Sequence, residues 1–246
     1  MASKWRRVMA VGCGHGEHGH PLIRKQVLEF RKRYKPEIRF ELGDIADTTC
    51  FRGGAAGTKD EAASPNDDMQ SALRWLRAYE PTHIAWGNHD WRLYDMMDHP
   101  EGIIRDYAKQ LWGRFTDEAA RLKAKTVPYD IEDGWHYLGG RAWGHGYMFN
   151  VNALRDHAFM VGCPVVMAHL HTPDRFGKKE GRTIKDRPSF CVGAMADDRK
   201  LKYGRRRRNS LTHGHGIVYG EVSETDSRLW LIQSENGKPL VFPPGL

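Results

Sequence analysis

The sequence predicts an α/β fold with parallel strands. Strand-like and helix-periodic segments alternate from residue 5 to residue 86, the βαβ pattern that implies a parallel sheet. Five short apolar runs (VMAV, IRFEL, HIAW, RAW and PVVMA) each hand off directly to His, Asp, Asn or Cys, as strand ends feeding one crevice would do. The chain has 246 residues, 40% hydrophobic and 11% aromatic, which suffices for one sizeable core in a single domain spanning residues 1–246.

Each element has its own justification. Residues 5–12 read as a strand entering a glycine-rich turn. Pro21–Tyr34 reads as a helix, because Ile23, Val27, Phe30 and Tyr34 recur at helical spacing and Pro36 ends it. Residues 38–42 alternate apolar and polar and read as a strand. Residues 51–67 are rich in Gly, Ala, Ser, Asp and Lys and read as a mobile loop. Residues 69–79 form a second helix with Met69, Leu73 and Leu76 on one face, and residues 82–86 the next strand. Residues 91–129 read as mostly helical, with Ile104, Tyr107, Leu111 and Trp112 as core candidates. Short strands are expected at 135–138, 141–143, 165–167, 190–192, 217–222 and 229–232, and a helix at 151–160. Residues 178–185 and 197–208 read as surface loops, and 239–244 as an extended tail.

Composition narrows the function classes. No apolar stretch approaches the ~18 residues of a membrane span, and Val8 to Val11 is too short for a secretory core, so the expected location is the cytoplasm. The four cysteines form no CxxC pair, and a disulfide framework is not expected. Net charge is +7; Arg205, Arg206, Arg207 and Arg208 supply four of these charges, which leaves +3 elsewhere. That balance suits an anionic partner, nucleic acid or another phosphoester.

The hand-off groups are metal ligands in type. They are Cys13-Gly14-His15, Gly43-Asp44-Ile45-Ala46-Asp47, Gly87-Asn88-His89-Asp90, His145, and His169-Leu170-His171. Neutral imidazole and carboxylate oxygen suit Zn, Mn and Fe. Asp44 has two oxygens with which to bridge two ions, and Asn88 offers an amide oxygen. In a strand, His169 and His171 lie two apart and face the same way. A pair of ions ~3.5–4 Å apart is the usual clamp for in-line attack on phosphorus.

These motifs resemble the calcineurin-like metallophosphoesterase superfamily, its small bacterial and phage-type members in particular. The family pattern is DxH, GDxxD, GNH(D/E), a lone His and GHxH; here GDIAD stands at 43–47, GNHD at 87–90, His145 in GHG and AHLH at 168–171. The resemblance implies a four-layer αββα sandwich with two divalent metals at one edge. It implies that His15 and His171 bind the first metal, that Asp44 bridges, and that Asn88, His145 and His169 bind the second. His89 would assist the leaving group and Asp47 would hold its orientation; a hydroxide on the two metals would attack phosphorus. Cys13 departs from the family aspartate. As a thiolate it is a softer ligand, ~2.3 Å from Zn against ~2.0–2.2 Å for an oxygen, and biases its site toward Zn or Fe. Alternatively the first site is weakened, or is rebuilt from Glu17, His18 or His20. The expected activity is a phosphodiesterase or nuclease; a phosphomonoesterase, or a non-catalytic scaffold on the same fold, is the alternative. Trp91 and Arg92 are candidates for the cleft wall or for packing, and His213 and His215 for a structural role or the pocket wall; His83, His99, His136 and His157 are expected to be structural.

Overall fold

The computed structural model describes residues 4–177, 187–201 and 213–245. The four arginines at 205–208 and residues 178–185, expected as a loop, lie outside the described residues. Two sheets are present. The first is built from β1 (Arg6–Val11), β2 (Ile38–Glu41), β3 (His83–Ala85), β4 (Lys125–Val127), β10 (Gly214–Val222) and β11 (Ser227–Glu235), in the order β11-β10-β1-β2-β3-β4. Its β1 to β4 run parallel, with Val8 opposite Ile38 and Phe40 opposite His83. The second is built from β5 (Trp135–Leu138), β6 (Arg141–Gly144), β7 (Val165–Met167), β8 (Pro173–Phe176) and β9 (Ser189–Val192), in the order β5-β6-β7-β9-β8. There β6, β7 and β9 are parallel.

Period-2 alternation assigns each strand face. In β1, Val8 and Ala10 join Phe40, Trp143, Val166 and Phe190 in the core between the sheets. Met9 and Val11 point the other way, into a core with α1 (Pro21–Tyr34), α2 (Pro65–Tyr79) and α4 (Gly102–Arg121). Behind the second sheet, Ala153 and Leu154 of α5 (Ala153–Val161) pack on Val165 and Met167. The layers are therefore αββα, as expected. Helix α1 buries the four residues whose spacing predicted it.

Several expectations need correction. Helix α2 begins at Pro65, four residues earlier than read, because the Ser64 hydroxyl caps it by accepting from Asp67 N and proline occupies its first turn. The stretch read as mostly helical from residue 91 starts its helix α3 (Asn88–Asp95) inside the GNHD motif and ends in strand β4. Strand β8 went unread, and β10 and β11 are longer than expected. Strand β2 alternates as expected, yet one residue of its polar face is dry. Glu41 is fully buried under α2, where its Oε2 accepts from Trp75 Nε1 at 2.7 Å. Burial pushes its carboxyl well above the usual range, against the hydrogen bond from Trp75.

The sheets are held together across their centre by Phe40 and Trp143, stacked with centroids 4.4 Å apart and planes 5° from parallel. Both rings are fully buried. Replacing Phe40 with Ala is expected to lower unfolding free energy by about 3–5 kcal/mol in urea titrations; a loss below about 1 kcal/mol would show that the sheets do not depend on this stack.

Candidate metal centre

The carboxyl ends of β1, β2 and β3 and of β6 and β7 open on the same edge of the two sheets. The loops beyond them are bent tightly. Cys13, His15, Asp44, Thr48, His169 and His171 all have left-handed backbone, with φ from 46° to 61°. Each such non-glycine residue costs about 1 kcal/mol or more and persists only where surrounding contacts enforce it.

Those contacts are visible. Cys13 N, His15 N and Gly16 N donate to the carbonyls of Gly43, Asp44 and Ile45, each at 2.8 Å, and so join the first loop to the second. The Arg24 guanidinium reaches from α1 and donates to Gly14 O at 2.9 Å and Gly16 O at 2.7 Å. The Asp90 carboxylate accepts from Ile45 N, Ala46 N and Gly87 N at 2.9, 3.0 and 3.0 Å. The Asp68 carboxylate accepts from Asp47 N, Thr48 N and Glu17 N at 2.9, 2.8 and 3.2 Å. Gly87 is required by space: a Cβ there would stand 2.2 Å from Asp44 N and Oδ1.

Within this frame the predicted ligands form two groups, and His15, Asp47 and His89 make a third cluster of donors beside them. The atoms of Cys13, His15, Asp44 and His171 lie within 4.8 Å of one another, as do those of Asp44, His145 and His169; Asp44 is common to both. In the first group, His15 Nε2 lies 2.9 Å from His171 Nε2 and 3.7 Å from Asp44 Oδ2. In the second, His145 Nε2 lies 3.1 Å from His169 Nδ1, 3.2 Å from Asn88 Oδ1 and 3.3 Å from Asp44 Oδ2. Asn88 Oδ1 is 3.1 Å from His169 Nδ1. All seven sequence-predicted ligand residues are thus brought together.

Ring orientation is fixed from behind. His145 Nδ1 donates to Leu42 O at 2.6 Å, and His15 Nδ1 donates to Asp47 Oδ1 at 2.8 Å. Each leaves its Nε2 directed inward, the ring nitrogen with which a metal ion would be ligated. His145 Nε2 faces Asp44 Oδ2 and Asn88 Oδ1 at close range, and the Asp44 charge outweighs burial and raises the imidazole, so a proton stands there where a cation could. These residues fit a divalent ion, and the N, O and S donor set suits Zn, Mn or Fe.

Charge follows the same plan. Burial drives His169 down to about 3, helped by the neighbouring His145, and burial also holds His171 well below the ordinary value. Both are neutral. Burial opposes ionisation of Asp44, but His145 and His89 outweigh it and hold the carboxylate charged. Burial lowers His89, yet the charges of Asp44 and Asp47 outweigh it and raise the imidazole to about 9. His89 Nδ1 donates to Asp47 O at 2.8 Å and stands 3.2 Å from Asp47 Oδ1.

Asp47 therefore contacts His89, as expected, and also orients His15. His169 and His171 lie beyond β7 rather than in it. Their left-handed backbone sends them to different donor groups, not to one face. Among the described residues neither donor group includes Glu17, His18 or His20, which argues against a site rebuilt from them. Cys13 is fully buried and its Sγ accepts from His169 N at 3.3 Å. His215 is structural, donating from Nδ1 to Ala194 O and accepting at Nε2 from Gly237 N, whereas His213 lies against the His171 ring. Arg92 donates to Asp47 O and Thr48 O, both at 3.1 Å, and Trp91 is partly buried against the core and stacks on the exposed Tyr94. His157 is structural too, accepting from Tyr147 N just after His145. Sequence reasoning missed Arg24 and Asp68. Asp68 reads as an ordinary acid at the start of a helix, and nothing in the local pattern of α1 marks Arg24.

If Cys13 is a ligand, Cys13→Ala should lower the metal content of purified protein, and Cys13→Asp should retain it and shift preference toward Mn. Equal metal content in wild type and both variants would remove the thiol from the centre.

No protein-family model matches the chain, and no match was found among curated proteins. Solved structures similar to it include Vps29 of Entamoeba histolytica, at 11% identity and a TM-score of 0.41 over 93% of this chain and 98% of that one. Yfce, a phosphoesterase from E. coli, shows 13% identity and a TM-score of 0.36 over 94% and 100%. A phosphatase from Mycoplasma pneumoniae shows 12% and 0.42 over 96% of each chain. In the order of its motifs, the gathering of their donors and its two facing sheets, the chain resembles the calcineurin-like metallophosphoesterase superfamily.

Proposed function

We propose that the protein is a metal-dependent phosphoester hydrolase, acting on phosphodiesters. One observation carries this reading: two donor groups share the buried Asp44, and a cationic imidazole, His89, stands beside them with both its neighbouring acids in place. Cys13, His15, Asp44 and His171 would hold one divalent ion, and Asp44, Asn88, His145 and His169 a second. Bound there, such ions neutralise phosphoryl charge and make water more acidic.

The chain's own residues supply the rest. Nδ1 of His89 is committed to the Asp47 carbonyl, so the proton given to the departing oxygen comes from Nε2. Asp47 balances the charge His89 carries before transfer, and Arg92 and Asp68 keep Asp47 from turning away by binding its carbonyl and amide. A preference for diesters is supported by the charge balance: a chain at +7 with a pI near 9.2 attracts polyanions.

Hydrolysis of bis-p-nitrophenyl phosphate with Mn, Zn or Fe tests the proposal. Wild type should turn over and be silenced by chelator, and His89→Ala should reduce kcat by about 10²–10⁴-fold, the usual worth of general acid–base assistance, with metal content retained. No metal-dependent turnover of any diester or monoester would leave a scaffold as the better description.

A further inference from the structure

A separate cavity of about 180 Å³ opens directly beside Asp47. Its walls come from the loop after β1 (His18), the loop after β2 (Asp47, Arg52), the segment preceding α2 (Lys59, Asp60) and the stretch after β9 (Lys200). The charges there do not balance. Asp60 is buried and ion-paired with Arg52. Asp47 is engaged by His15, His18 and His89. Both carboxylates are therefore consumed within the protein, whereas Lys59 and Lys200 have no carboxylate partner among the described residues.

We infer that this cavity is a second anion subsite, which takes the phosphate next to the scissile one in a substrate carrying at least two. The inference rests on the proposed hydrolase reading for the position of the scissile phosphate. Size sets the ligand: sites for whole drug-sized molecules occupy about 300–1,000 Å³, so this cavity admits one phosphoryl-sized group and not a nucleoside. Chemistry sets the sign, since two ammonium groups without a carboxylate partner among the described residues and the Nε2 edge of His18, 3.6 Å from Asp47 Oδ2, line a space whose two carboxylates are already engaged. Position sets the spacing, because Asp47 is shared between the cavity wall and the two imidazoles of the donor cluster. Phosphoanhydrides and nucleic-acid strands both present such a neighbouring phosphate.

The test starts from binding, without metal. Inorganic pyrophosphate is titrated calorimetrically into the full chain in chelator, beside Lys59→Ala/Lys200→Ala and the charge-keeping Lys59→Arg/Lys200→Arg. Loss of two exposed charge pairs should weaken binding about tenfold, and the arginine pair should restore it. Equal affinity in wild type and the alanine pair overturns the subsite, whatever the esterase assays give. Displacement of pyrophosphate by a short thymidine oligonucleotide supports the subsite with a nucleic-acid strand as the source; displacement only by tripolyphosphate supports it with a phosphoanhydride. With Mn present, the alanine pair should also lower the ratio of kcat/KM for a 5′-phosphorylated thymidine dinucleotide over bis-p-nitrophenyl phosphate. Lysine-dependent pyrophosphate binding in a protein that hydrolyses no ester would sink the hydrolase reading and leave the anion site standing.

Discussion

A charged carboxylate, Asp44, is buried to 2% exposure at the point where two sheets meet. Removing such a charge from water costs several kcal/mol unless its surroundings compensate. The compensation dictates the neighbourhood. His15, His89 and His145 converge on it, the His89 amide donates to its Oδ1 at 2.9 Å, and Gly87 gives up a side chain so that the backbone can approach. The same carboxylate is the only member common to both donor groups. A divalent ion on each side of it would complete the neutralisation that the imidazoles begin.

The fold delivers these groups from two independent sheets. His15, Asp44 and Asn88 follow strands of the first, and His145, His169 and His171 follow strands of the second. Spacing within the centre is thus set by how the sheets pack on each other, and the Phe40–Trp143 stack lies in that interface. Stability and site geometry are coupled through this core. The strained loops would open if left alone, and buried Asp68 and Asp90 with half-buried Arg24 prevent it by taking up backbone amides and carbonyls that would otherwise go unpaired.

Much of this was legible in the sequence. Helix α1 was readable because Ile23, Val27, Phe30 and Tyr34 are spaced for one face and nothing competes with that pattern. The ligand row was readable because few residue types bind metals, and they stood after apolar runs in order. What escaped was geometry set by distant contacts. The left-handed turns at His169 and His171 are enforced from outside, so a local pattern implied a strand. Strands β4 and β8 are three and four residues long and mostly polar, too short to alternate visibly. Glu41 reads as surface and lies in the core because α2 covers that face. The braces Arg24 and Asp68 act across 8 to 51 residues of chain, from one element to another, where no sequence period operates.

Metal stoichiometry of the full chain, measured by elemental analysis after saturation with Mn or Zn and removal of free ion, tests the shared carboxylate most directly. The account predicts two ions per chain in wild type and loss of both in Asp44→Asn, with the fold retained by circular dichroism. A wild type that saturates at one ion or none, or an Asp44→Asn variant that still holds two, would contradict it.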